Sequence, residues 1–223
     1  MIIPCFILCR KGSKEIKGKN NIKIGKKSLF EITFEYVKKS KYVSHIVVST
    51  DDKKIFRKAK NKSFLIARPK NLSTSFVSSE KVLKHAIKTF EKKYGKTKYS
   101  CYVQVTEPFR PKNILDDCIK KIIKTNSDSC FAAYEQKKNF WVYKKNKLVR
   151  MTNFSDRKKP RQIKNPILRE DTGIALVTKS KFLRKGERIG KKISCVSYKN
   201  PKFNIDINSL EDLNFARKVY KSK

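Results

Sequence analysis

Residues Ile2–Cys9 form an unbroken apolar run that ends at the charged pair Arg10-Lys11. Such a run has no polar face, so as a strand it must be covered on both sides, which points to a parallel sheet with helices above and below. It is too short to cross a bilayer and no basic segment precedes it, so neither a membrane span nor a secretion signal is read here.

The rest of the chain repeats the same alternation. Leu29, Ile32, Phe34, Tyr36 and Val37 predict a helix, and His45–Thr50 a strand followed by the helix-capping pair Asp51-Asp52. Phe64–Ala67 reads as a strand, and Val82, Leu83, Ala86, Ile87 and Phe90 form a helical stripe. Tyr99–Val105 is a strand, Ile114, Leu115, Cys118, Ile119, Ile122 and Ile123 a second stripe, and Ser129–Tyr134 a further strand. From about Gln136 to Leu168 the pattern breaks: Phe140–Tyr143 and Lys147–Met151 predict a hairpin, then a polar stretch follows. Gly173–Thr178 and Ile193–Val196 resume the strands, and Leu210–Tyr220 is a closing helix. Alternating strands and helices predict a single α/β domain, a mostly parallel twisted sheet flanked by helices. The excursion is expected to cover a site or reach a second subunit. The chain has 223 residues, 39% of them hydrophobic, enough for one domain with a substantial core.

Lys and Arg number 56 against 19 Asp and Glu, a net charge of +37. The lysines are dispersed along the chain and no zinc-finger or aromatic RNA-reading motif accompanies them, which argues against nucleic-acid binding as the main function. The charge would still steer anionic substrates. The six cysteines form no C-x-x-C pair, so they read as small core residues and free thiols suited to a reducing cytoplasm. His45 and His85 read as structural, and no Ser-His-Asp or Cys-His set is visible.

In open α/β sheets ligands bind beyond the carboxyl ends of the strands. There, after the first strand, lies Arg10-Lys11-Gly12-Ser13-Lys14-Glu15-Ile16-Lys17-Gly18-Lys19-Asn20. Its spacing fits neither a Walker A loop nor G-x-G-x-x-G. The residues alone leave a phosphate cradle and a solvated basic loop both open.

This loop resembles the R-x-G-S-K-x-x-x-x-K-N signature of CMP-sialic acid synthetases, the acylneuraminate cytidylyltransferases. Val48-Ser49-Thr50-Asp51 resembles the family's V-S-T-D strand end. Arg68-Pro69 with Leu72 and Ser78-Ser79 resembles its R-P segment, and Gln104–Arg110 its Q-P-T-S-P-L-R. Pro160-Arg161-Gln162 matches a P-R-Q in the arm region, Arg169 with Gly173 resembles the R-x-N-G segment with one extra residue, and Asn204–Asn208 resembles the D-I-D near the end, all in the same order. The resemblance implies attack of an acidic 2-keto-3-deoxy sugar on CTP, giving a CMP-sugar and pyrophosphate. It implies Arg10, Lys14 and Lys19 at the triphosphate, with Gly12 and Ser13 in the same loop. Asn20, Arg68 and Ser79 fall to the nucleotide, Gln104 and Arg169 to the sugar, and Asp206 with Asn208 to Mg²⁺. It also implies a homodimer joined through the arm at 136–168. Taken singly, Arg68 could merely end a strand, Ser78-Ser79 cap a helix, Gln104 be a satisfied polar group and Asp206 a turn residue. The chain departs from the family pattern at Ser75, Val105, Glu107 and Asn208, where the family carries an Asp, a Pro, a small residue and a second metal-site Asp. Related alternatives are an eight-carbon keto-deoxy acid cytidylyltransferase and a catalytically weakened relative.

Overall fold

The computed structural model describes residues 1–13 and 15–222, apart from the side chains of Phe154 and Arg157. Its elements in chain order are β1 (Pro4–Cys9), β2 (Lys23–Ile24), β3 (Lys27–Ser28), α1 (Leu29–Lys38), β4 (His45–Thr50), α2 (Lys53–Ala59), β5 (Phe64–Ala67), α3 (Ser79–Tyr94), β6 (Tyr99–Val103) and α4 (Ile114–Thr125). There follow β7 (Ser129–Gln136), β8 (Trp141–Lys144), β9 (Lys147–Arg150), β10 (Ile167–Lys179), α5 (Ser180–Lys185), β11 (Ile193–Tyr198) and α6 (Leu210–Lys221).

Seven strands form one sheet in the order β11-β7-β10-β6-β1-β4-β5. Pairing is parallel throughout except for β10, which runs antiparallel to both β6 and β7. The first strand is covered on both sides, as its composition requires. Cys5, Ile7 and Cys9 join a core built with α1, α2, α4 and α6. Phe6, pointing the other way, packs in a second core with Leu83, Ala86, Ile87 and Phe90 of α3 and Leu183 of α5. Five of the six cysteines are buried and all six are free.

Local chemistry sets the boundaries. Ser28 and Glu31 close a capping box on α1, Asp52 caps α2 through Lys54 N, and Ser78 caps α3 through Lys81 N. Lys145 and Asn146 turn β8 into β9 with φ of 46° and 62°, the left-handed pair that a two-residue hairpin turn needs.

Three expectations need correction. The strand expected over 99–105 ends at Val103, because the chain must leave the sheet toward Pro108. The strand expected from Gly173 begins at Ile167. Ile167 pairs with Gln136, so the excursion springs from two paired strands and its free part is 137–166. Helix α5 and the β2–β3 hairpin are too short to leave a periodic signal.

Candidate active site

Strands β6, β1, β4 and β5 are adjacent and parallel, so the residue after each lies on one edge of the sheet. Those residues are Gln104, Arg10, Asp51 and Arg68. From β1 the chain first builds outward through β4 and β5, then crosses to place β6 on the other side. The loops after β1 and β6 therefore diverge and open a crevice at this switch point. The reversed strand β10 brings its first half, with Arg169, Asp171 and Gly173, to the same edge.

The loop after β1 is held by carboxylates at the end of β4. Lys11 N donates to Asp51 Oδ1 at 2.8 Å, and Asn21 Nδ2 to Asp52 Oδ2 at 2.7 Å. Asn20 Nδ2 donates to the Arg10 carbonyl at 2.9 Å, tying the loop's ends together. Gly18 adopts φ 66°, which favours glycine, and Lys19–Asn21 form a single 3₁₀ turn. A side chain at Gly12 would meet nothing within 4 Å, so its backbone is open to an approaching group. Ser13 is partly exposed. Lys14 lies outside the described residues.

Lys19 spans the crevice. Its Nζ donates to Ile207 O at 2.8 Å and to Asn208 Oδ1 at 3.3 Å. Burial lowers its pKa, with Asp206 and Glu15 opposing the shift. Among the described residues, neither Lys19 nor Arg10 closes an ion pair with a carboxylate. Their charges can meet an anion without breaking a bridge. Asp206 is exposed and accepts from Asn208 Nδ2 at 2.8 Å. Ile207 N donates to Thr106 O at 2.9 Å, which pins this segment against the turn after β6.

Arg68 is buried, donating from Nη2 to Ser49 O at 2.8 Å and from Nε to Ser49 Oγ at 3.3 Å. Burial lowers its pKa. Ser79 opens α3 beside the cap and donates to Glu80 Oε2 at 3.4 Å. His85 on the same helix has its pKa lowered by burial and then by Arg68, so its neutral form is favoured near the guanidinium.

Gln104 N donates to Gly173 O at 2.8 Å, and Gln104 Oε1 accepts from Thr106 Oγ1 at 3.4 Å. Arg169 sits over the Tyr134 ring and grips Asp171 with Nη2 at 2.7 and 2.8 Å from its two oxygens. Tyr198 Oη donates to the same carboxylate. The edge thus gathers Arg10, Lys19, Asn20, Arg68, Gln104, Asp206 and Asn208, with Arg169 held beside them on β10. The anchoring role of Asp51-Asp52 and the Asp171–Tyr198 contact were not read from the sequence. The i,i+2 spacing of Arg169 and Asp171 on one strand face was the available signal for the pairing of those two residues.

A separate groove of about 880 Å³ lies between α1 and the start of α4, bordered by Tyr36, Phe109, Lys202 and Phe203. It contains none of the strand-end residues, and the chemistry is assigned to the strand-end crevice because the unpaired cations and Asp206 converge there.

Comparison with known proteins bears on the family and the fold. A pseudaminic acid cytidylyltransferase of Campylobacter jejuni (strain 81-176) is 28% identical over 97% of this chain and 95% of its own. An N-acylneuraminate cytidylyltransferase of Escherichia coli O18:K1:H7 is 30% identical over 53% of this chain and 27% of its own. The structure of a CMP:2-keto-3-deoxy-manno-octonic acid synthetase complexed with CTP superposes with a TM-score of 0.74, covering 100% of this chain and 99% of the other at 12% identity, a likeness of fold. The family model for cytidylyltransferases matches residues 4–215, and with that match spanning nearly the whole domain the chain belongs to the cytidylyltransferase family.

Proposed function

We propose that this cytidylyltransferase activates an acidic nonulosonic sugar of the sialic, legionaminic or pseudaminic type. The sugar's anomeric hydroxyl attacks the α-phosphorus of CTP, the bond to the bridging oxygen breaks, pyrophosphate departs and the hydroxyl proton is lost. The observation that carries the reading is the pair of unpaired cations, Arg10 and Lys19, converging with Asp206 at the switch-point crevice. Transfer of this kind depends on positioning and charge neutralisation more than on covalent chemistry by the protein.

In this reading Arg10, Lys14 and Lys19 receive the triphosphate, with Gly12 and Ser13 letting the backbone approach it. Asn20 keeps the loop in shape, and Arg68 and Ser79 face the nucleoside. Gln104 and Arg169 face the sugar and its carboxylate. Mg²⁺ would be held at the exposed carboxylate of Asp206, a hard oxygen ligand; Asn208 turns Nδ2 to Asp206 and Oδ1 to Lys19, so its amide oxygen would join only after the amide flips. Among the described residues no group of three or more His, Cys, Asp or Glu could hold a metal, so the substrate phosphates complete the shell. When bound, the ion neutralises phosphate oxygens.

The protein works as a homodimer in this reading. Trp141, Tyr143, Leu148, Val149, Met151 and Ile163 of the arm are all exposed in one chain. A lone two-stranded hairpin is marginal in water, and these side chains are suited to burial against a second copy. We place the reaction in the cytoplasm, where free thiols persist and CTP is made. Among the described residues no helix is long and apolar enough to cross a membrane.

The test is pyrophosphate release from CTP and Mg²⁺ with a panel of acidic sugars. Turnover with a nine-carbon acid supports the reading. Turnover with the eight-carbon keto-deoxy acid alone assigns the other sugar class, and none with any acid overturns it.

A further inference from the structure

Glu107 stands on the turn that leaves β6, three residues after Gln104, and is only 8% exposed. Its Oε2 is shielded from solvent and has no hydrogen-bond partner. A buried carboxyl in that state carries an unmet desolvation cost. The nearby groups able to satisfy it are committed elsewhere. Arg110 donates to Ile174 O at 3.2 Å, to Thr33 Oγ1 at 3.4 Å and to the Gln104 carbonyl. Arg169 is occupied by Asp171.

The seat of this carboxyl is nevertheless built for it. A Cβ placed on Gly173 would lie 2.6 Å from both Glu107 oxygens, so a side chain at 173 would displace the carboxyl from this seat. The same Gly173 carbonyl receives Gln104 N, so carboxyl, glutamine and β10 form one wall. The charged groups acting on Glu107 are Arg110, Asp206, Asp171 and Arg169. That places it among the residues assigned above to the sugar and the metal.

We propose that Glu107 is a specificity-determining residue of the sugar subsite, its unpartnered carboxyl turning to meet a hydroxyl or acylamido group of the bound acidic sugar. This rests on the cytidylyltransferase reading and goes beyond it. Burial pushes the carboxyl up to about 8, Arg110 opposing and Asp206 and Asp171 adding to the rise. A protonated carboxyl offers one donor and one acceptor and tolerates an anionic sugar beside it. A small side chain at 107 would leave that sugar group to water.

The test compares wild type with E107Q, E107S, G173A and the double variant E107S/G173A. Readouts are KM and kcat for each of several acidic sugars, CTP affinity by calorimetry, and Tm. Glutamine keeps a donor and an acceptor, so E107Q should stay within about threefold of wild type for the preferred sugar. E107S should raise KM for that sugar about tenfold or more and reorder the panel, with CTP affinity unchanged. G173A should reproduce the E107S effect by evicting the carboxyl, and the double variant should add nothing further. A purely structural role would lower Tm and leave sugar preference alone. In contrast, removing an unsatisfied carboxyl should leave Tm equal or higher. Unchanged sugar KM and ranking in E107S overturn the inference while the enzyme reading stands. Absence of turnover by wild type with every acid overturns the reading and this inference with it.

Discussion

Lys19→Met isolates the charge that joins the two halves of the crevice. Methionine keeps the length of the side chain and removes its ammonium. In the free protein Nζ makes two neutral-acceptor contacts, to Ile207 O and Asn208 Oδ1, and among the described residues no ion pair. Losing them should cost about 1 kcal/mol of stability, a fall in Tm of roughly 2–4 °C for a domain of this size. The cost in CTP binding should be greater. A charge-assisted hydrogen bond to phosphate contributes roughly 1.5–3 kcal/mol, which corresponds to a tenfold to hundredfold loss of affinity. Lys19 is only about half-buried, so the lower end applies, and raising the salt should narrow the gap between variant and wild type. Calorimetry of CTP binding at two ionic strengths, with a melting curve on each sample, measures all three quantities. A folded variant whose CTP affinity stays within about twofold of wild type at low salt would refute the placement of the triphosphate.

Four further outcomes follow from the same geometry. Asp206→Ala should abolish turnover, whereas Asn208→Asp should lower the Mg²⁺ concentration for half-maximal rate; parallel Mg²⁺ titrations read both, and an unmoved curve for the second removes residue 208 from the ligand set. Asn20→Ala should loosen the loop by losing the 2.9 Å tie to Arg10, seen as faster amide exchange over residues 10–20 and weaker CTP binding with little change in global Tm. Light scattering at micromolar concentration should give twice the 26.1 kDa chain mass, and Trp141→Lys with Tyr143→Lys should shift it to the monomer if the arm forms the contact. Because the folded pKa of Glu107 is raised to about 8, the folded state retains a proton that the unfolded state has lost, so stability falls as pH rises from the ordinary carboxyl range through about 8; melting curves across pH 6–9 should show this slope, reduced in E107Q.

The elements with a local cause were legible. Buried on both faces, β1 shows as an unbroken apolar run, and the stripes of α3 and α4 show the faces that they bury. Asp52 and Ser78 cap helices through atoms a few residues away, so capping chemistry located both starts. The β8–β9 hairpin was visible because both strands and the turn lie within ten residues. Contacts made at long range were not. Lys19 reaches Ile207 and Asn208 across 188 and 189 residues, and no local pattern announces that pairing. The site residues themselves were found by collinear resemblance, since singly each has an ordinary structural explanation. Several do make the ordinary structural contacts, as with Asn20, which ties the loop, and Arg68, which is fixed on Ser49.

Strand β10 shows why direction matters more than existence for the site. Its residues 173–178 read as a strand from composition, which is silent on polarity. A parallel β10 would have carried Arg169, Asp171 and Gly173 to the opposite edge, away from Gln104. The antiparallel insertion between β6 and β7 instead sets Gly173 O against Gln104 N and brings Arg169 and Asp171 to the crevice. The register shift between Asp171 and Leu176 falls where Gly173 meets Glu107, so the ladder gives way at the point where the side chain needs space. One reversed strand thereby makes a wall of the strand-end crevice out of a segment that would otherwise only extend the sheet. The identity of residue 107 then decides what that wall presents.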